Sequence, residues 1–358
     1  MFRGLTIAGM ILVNTPGSWS YVYAPLRHAE WHGWTPTDLV FPFFLFIVGC
    51  AMWFSFRKHE HRPSRPLLIR IVRRTALIFL VGLALNAFPF VDPIGELRIM
   101  GVLQRIALAY GIGAVLCLYL PRLKLAVAGG ALLVGYWLLL VIFGGTDPYG
   151  LETNLVRRVD LALLGADRLY QGFGVAFEPE GLLSTIPAVG TVIAGFFVGR
   201  LVGLGVHMSA TLRRMILWGT VAIGGGLLWS LSFPINKPLW TSSYVLLTGG
   251  LAALFLAAVI WIVDVRGIRG WAWPFKVFGM NPLFAYALSI LWVRALYGLI
   301  RFSDGEGGVA NGYGWLYETV FVPLAGPMNG SLLFALAHVA LVWVVTWLLY
   351  RRRIFLKL

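Results

Sequence analysis

The sequence predicts an all-α membrane protein, a polytopic bundle of about ten transmembrane helices, on three observations. Mean hydropathy is +0.81, 59% of residues are hydrophobic and only 12% are charged; a soluble domain carries about 25% charged residues. Apolar runs of roughly 20 residues recur, each long enough for a hydrocarbon core of about 30 Å. The basic residues crowd every second connection between those runs, the pattern that marks cytoplasmic loops.

In order, the runs place spans at roughly 4–22, 38–56, 68–90, 99–120, 125–143, 181–200, 213–232, 244–264, 279–300 and 331–350. The first lacks a basic leader and a small-residue cleavage site, so it reads as a retained helix. No internal repeat or low-complexity tract divides the 358 residues, and a single transmembrane domain over 1–358 is the simplest organisation. With the N-terminus inside, the cytoplasmic segments hold Arg3, the run from Arg57 to Arg74, Arg122, Lys124, Arg200, Arg213, Arg214, Arg266, Arg269, Lys276, Arg351, Arg352, Arg353 and Lys357. The outside segments hold Arg27, Arg98, Arg157, Arg158, Arg168, Lys237 and Arg301, and most of the acids, among them Glu30, Asp92, Glu96, Asp147, Glu178, Glu180, Asp304 and Glu306. Both termini are assigned to the cytoplasm.

The net charge of +14, concentrated on one face, suits anchoring to anionic lipid and is not read as nucleic-acid binding. Cys50 and Cys117 lie inside apolar runs and read as core thiols, since two cysteines make no metal cage. The longest outside connection, 144–180, is rich in Gly, Asp and Pro and carries an amphipathic piece near 152–164. A loop of that length is usually functional or disordered, and this one is placed to roof an acceptor site.

Residues 14–50 organise the chain. An apolar run breaks at Asn14-Thr15-Pro16-Gly17, passes through an aromatic, polar turn with His28 and His32, and becomes apolar again at Asp38. Thr35-Pro36-Thr37-Asp38 is a helix start: a Thr cap, Pro at the first helical position, and an acid that closes a capping box. Asn281-Pro282 interrupts the ninth span, freeing backbone groups of the kind that line a cavity.

FRGLTIAGMILVN (2–14) and LRHAEWHGWTPTDLVFPFFLFIVG (26–49) resemble the heparan-α-glucosaminide N-acetyltransferase family of multi-span membrane acyltransferases. The likeness returns in order at LRIMGVLQRIALAY (97–110), PEGLLSTIPAVGTVIAGFFVG (179–199), INKPLWTSSYVLLTGG (235–250) and FGMNPLFAYALS (278–289). The family carries a few polar residues, an aspartate among them, ahead of the FRGL segment, where this sequence starts at Met1-Phe2-Arg3. The resemblance implies acetyl transfer from cytosolic acetyl-CoA to an amino-sugar or glycan acceptor on the extracytoplasmic side. It implies a bacterial inner membrane, and no counterpart of the large luminal domain of the animal enzyme. Homo-oligomerisation is left open.

Acyl transfer needs a base for the nucleophile's proton, donors for the developing oxyanion, and a positioned thioester. His28 is the base candidate, because an imidazole with an ordinary pKa near 6.5 accepts a proton at neutral pH; a loop histidine satisfied by its neighbours is the plainer reading. The resemblance matches His28 in LRHAEW to the family's catalytic histidine and Asn14 to a position held essential. On its own terms Asn14 is either an oxyanion donor or hydrogen-bond glue between helices. His32 reads as structural support. Arg105 is either an interior ion pair with Glu96 or Asp92, or a fork of donors for the phosphates or amides of coenzyme A. The resemblance tilts it to the ligand, with Gln104 in support. Ser184, at a helix start, suits an anionic group of the donor or simply packs.

Glu180, Asn236, Trp240, Ser242 and Asn281 are the acceptor-binding candidates; Trp240 fits a sugar platform and an interfacial aromatic belt equally. His338 in the last span reads as a packed histidine. No metal-ligand cluster, P-loop, dinucleotide fingerprint or G-x-S-x-G elbow is present, and no metal is expected. The rival class is a sugar or acyl-sugar transporter, favoured by the two broken spans and disfavoured by the absent repeat.

Overall fold

A computed structural model describes residues 1–90, 93–205, 207–303 and 309–356. Asp92, Asp304, Glu306 and Lys357, counted above among the charges of the two faces, lie outside the described residues. The helices are α1 Phe2–Asn14, α2 Val40–Arg57, α3 Arg65–Ala87, α4 Val102–Tyr119, α5 Arg122–Phe143, α6 Leu155–Leu164, α7 Thr185–Leu204, α8 Met208–Trp229, α9 Ser242–Ile260, α10 Trp273–Met280 and α11 Pro282–Gly298. A short antiparallel pair, β1 Arg301–Ser303 and β2 Val309–Asn311, precedes α12 Gly312–Leu316 and α13 Val322–Arg351.

Among the described residues, six segments are long and apolar enough to cross a membrane, and a seventh counts if the bent pair α10–α11 is one span. The other expected spans differ for identifiable reasons. α1 stops at Asn14 instead of running to 22, and its 13 residues rise only about 20 Å. α3 and α8 have the length, but Arg65, Arg70, Arg73 and Arg74 load one and Arg213 and Arg214 the other. The ninth is broken at Asn281, with 77° between α10 and α11.

Backbones approach closely where glycines permit. α2 and α7 pack face to face: a Cβ on Gly49 would lie 2.0 Å from the Val192 carbonyl oxygen, and one on Gly195 2.0 Å from that of Phe46. Small residues let membrane helices pack this way. α8 crosses α9 at Gly219 and Gly250 on the same principle. The largest apolar cluster runs through α2, α3, α4 and α7, where Leu45, Phe56, Leu103, Val192 and Phe196 are buried. A second forms under the 144–180 connection, joining Tyr136, Val156, Phe177, Phe233 and Leu239. α1 packs against α10, α13, α2 and α11, and a chamber is lined by residues of α1, α2, α4 and α11.

Candidate active site

The turn after α1 is held from several sides. Tyr313 donates to the Pro16 carbonyl (2.6 Å) and Gly17 to that of Ser331 (3.2 Å). A Cβ on Gly17 would meet the Tyr317 ring at 2.3 Å, so a larger residue there would have to displace that ring. Further on, Gly33 donates to Ile235 (2.7 Å), the Trp31 indole to Tyr149 (2.8 Å), and the Asn236 amide to Trp31 (2.9 Å). The histidine-bearing turn is thus pinned to α13, to the 144–180 connection and to the turn before α9.

Its far end carries the expected capping box: the Thr35 amide donates to Asp38 Oδ2 at 3.0 Å. The Ala29 amide also donates to Oδ2 (3.0 Å), while the Thr35 hydroxyl, 3.1 Å from Oδ2, donates to the Arg27 carbonyl at 2.6 Å. Oδ1 is left for side chains. His28 Nδ1 lies 2.6 Å from it and Lys237 Nζ 3.1 Å from it, and Nζ is 3.0 Å from Nδ1. Tyr244 donates to the Asp38 backbone carbonyl at 2.5 Å and holds the main chain at this residue. Asp38 is 1% exposed and His28 37%, so a buried acid orients a ring that reaches open space.

That space is a chamber of about 750 Å³. His28, Asp38, Lys237, Asn14, Trp19 and Arg27 stand at one end with Tyr170, Phe173 and Glu180 of the long connection. Met10, Ile11, Phe41, Phe44, Leu103, Ile106, Leu283 and Ile290 make an apolar shaft below. On α11 the lining runs from Leu283 to Arg294, about three turns or 17 Å.

In the same lining, Arg98 grips Glu178 through Nε (2.8 Å) and Nη2 (2.5 Å) and reaches Glu180 at 2.7 Å. Burial would lower the Arg98 pKa, but the two carboxylates outweigh it and hold the guanidinium above its ordinary range. Burial pushes Glu178 up against the pull of Arg98. It pushes Lys237 down, against the pull of Asp38, and lowers His32 as well.

The chamber brings together four of the residues singled out in the sequence: Asn14, His28, Glu180 and Trp240. Asn14 is exposed, and among the described residues its side chain has no hydrogen-bond partner. Trp240 is buried on Phe41 and Tyr244, with ring centroids 4.9 and 5.4 Å away. The others lie outside the lining. Arg105 is fully buried behind Trp240, its Cζ 5.0 Å from the indole centroid, and donates to Ser184 and to the Gly181 carbonyl. Glu96 is not its partner, and its Nε and Nη1 have none among the described residues. Gln104 packs against Gly82 and Gly101. Asn236 accepts from the Leu239 amide (2.7 Å) and Ser242 donates to the Leu133 carbonyl (2.7 Å). Asn281 ties down the C-terminal segment through Ile354 (3.0 Å) and Leu356 (2.8 Å). His338 packs on Phe334.

In the sequence Asp38 reads as a cap and Lys237 as one polar residue of a turn. Their meeting with His28 joins positions 10 and 209 residues away, and no local pattern signals it. The catalytic profile of the heparan-alpha-glucosaminide N-acetyltransferase family matches residues 1–225. The chain belongs to that family. Heparan-alpha-glucosaminide N-acetyltransferase of Homo sapiens is 30% identical over 80% of this chain and 51% of its own length. The Mus musculus protein of the same name is 30% identical over 80% and 52%. The chain therefore spans about half the length of these relatives.

Proposed function

We propose that the protein is a transmembrane acetyltransferase that moves an acetyl group from acetyl-CoA to an amino-sugar or glycan acceptor, with His28 as general base. The observation that carries this reading is the 2.6 Å contact between His28 Nδ1 and Asp38 in a family member whose chamber the ring faces. Nδ1–H donates to Asp38 and leaves the Nε2 lone pair for the acceptor. The acceptor nitrogen or oxygen attacks the thioester carbonyl as its proton passes to Nε2. The tetrahedral centre then collapses, the C–S bond breaks, and the imidazolium proton goes to the departing thiolate. Asn14 lines the same chamber and is the oxyanion donor in this scheme. Glu180, Trp19 and Tyr170 surround the acceptor, and the apolar shaft takes the pantetheine arm. Arg105, Gln104 and Ser184 stiffen the wall behind Trp240.

The reading places the chain as one domain of about ten crossings in a bacterial inner membrane, with both termini cytoplasmic and the His28 end outward. A cysteine introduced at 57–66 should resist an impermeant thiol reagent in intact cells, while one at 144–178 should react; the reverse pattern would invert the orientation. Purified protein with labelled acetyl-CoA and glucosamine should release thiol and labelled N-acetylglucosamine, and His28→Gln should lose about 10²–10⁴-fold of that rate. Sugar flux in sealed vesicles without thiol release would favour the transporter. The broken span gives that reading little support, because Asn281 is occupied by the C-terminal backbone.

A further inference from the structure

Two chargeable side chains share one carboxylate oxygen in the chamber lining. Asp38 Oδ1, His28 Nδ1 and Lys237 Nζ form a triangle with sides of 2.6, 3.0 and 3.1 Å. Two bare acceptors would repel at 2.6 Å, so Nδ1 carries a proton and donates to Oδ1. Lys237 then also donates to Oδ1, and its contact with Nδ1 is between two donors that flank one acceptor. An isolated buried carboxylate beside an imidazole favours the imidazolium, because an opposite charge within about 4–6 Å stabilises the charged form. An imidazolium has no lone pair for an incoming acceptor. Lys237 reverses this balance: its ammonium neutralises Asp38 and repels a second cation 3.0 Å away.

We propose that Lys237 is a positioning residue that keeps His28 a neutral Nδ1–H imidazole by occupying the negative charge of Asp38. The proposal rests on the acyltransfer reading above only for its consequence for rate. The other charges around the ring are already committed. Arg27 donates to the Val22 carbonyl (2.7 Å), Arg98 is bound to Glu178 and Glu180, and Arg294 donates to Asn86 and Phe88 (2.7 Å each). His32 lies on the Asn236 amide at 3.3 Å. Lys237 is therefore the ammonium placed on the Asp38–His28 contact from outside its own segment.

The test uses full-length protein in detergent, labelled with ¹⁵N-histidine, with His28 assigned by its loss in His28→Gln. Wild-type protein at pH 7 should show His28 with one protonated and one bare ring nitrogen. In Lys237→Gln both ring nitrogens should become protonated at that pH. The acid limb of the transfer-rate profile should move up by about one pH unit or more, with the alkaline plateau retained. Lys237→Arg, which keeps the charge, should leave the limb in place. A neutral ring with an unmoved profile in Lys237→Gln overturns the proposal, as does a shifted limb in Lys237→Arg; the arginine variant decides should the glutamine variant not fold. The ring signal needs no acetyl-CoA. Wild-type protein that releases no thiol would therefore sink the acyltransfer reading, while the ring nitrogens would still decide the role of Lys237.

Discussion

Oδ1 of Asp38 lies 2.6 Å from Nδ1 of His28, while the other oxygen of the same carboxylate caps the turn that leads into α2. One residue thus starts a helix and aims a ring on the preceding turn, so the cap fixes where the imidazole points. Asparagine at this position can still cap through its oxygen, but it then turns an amide N–H toward Nδ1. The ring must flip its tautomer, and Nε2 loses its lone pair. Asp38→Asn is expected to lower transfer by roughly 10²–10⁴-fold with only a small loss of thermal stability. Steady-state thiol release and a melting curve on the same sample check both parts. Wild-type turnover would reduce the contact to a cap.

Arg105 gives a contrasting prediction. Its guanidinium is sealed behind Trp240 and reaches Ser184 and Gly181, the residues that open α7. A lysine keeps the charge but loses the planar stacking and the fork of donors. Arg105→Lys should lower the melting temperature and leave the apparent constant for acetyl-CoA unchanged. A raised donor constant in a stable variant would instead place Arg105 on the donor.

What the sequence discloses divides along physical lines. Hydropathy marks most of the long helices within a few residues, because burial in lipid demands a similar apolar length, although α13 begins at Val322, nine residues before the predicted 331. The Thr35–Asp38 box is legible because a cap is local chemistry. The apolar signal overruns α1 by eight residues, since Trp19 and Tyr21 continue it while in fact being exposed. Of the polar residues inside spans, sequence cannot tell a chamber wall from a buried bond. Asn14 and Asn281 look alike in the chain, yet one lines the chamber and the other holds the C-terminal backbone. The Arg98–Glu178 clamp bridges 80 residues, a distance no motif spans.

Helix contact supplies the third prediction. Gly195 sits where α7 meets the α2 backbone, and a Cβ there would come within 2.0 Å of the Phe46 carbonyl oxygen. Backbone cannot yield as a side chain would, so Gly195→Ala should cost about 1–3 kcal/mol through overpacking. Gly130 on α5 has nothing within 4 Å, and Gly130→Ala there should be neutral or stabilise by about 0.5–1 kcal/mol. Thermal denaturation of the two variants in one detergent gives the comparison. Equal midpoints would mean the two helices can slide apart without loss.

The last prediction concerns pH. Asp160 on α6 is fully buried and accepts the Leu182 amide on Oδ1 (3.0 Å), while Oδ2 has no partner among the described residues. Burial pushes its pKa up to about 7; the negative charge of Glu178 adds to this, and the Leu182 amide and Arg105 oppose it. An unfolded aspartate titrates near 3.9, so between about pH 4 and 7 the folded protein binds the extra proton. The contribution of this carboxyl to stability then falls as pH rises through that window and levels off above it. Each pKa unit corresponds to about 1.4 kcal/mol, so even half of the displacement amounts to about 2 kcal/mol. Asp160→Asn cannot ionise, keeps the acceptor for Leu182, and puts an amide where Oδ2 lacked a partner. The stability of the variant relative to wild type should therefore be greater at pH 8 than at pH 5. Melting curves of both proteins at the two values measure that difference, and an equal difference at both would mean that Asp160 titrates normally in the fold.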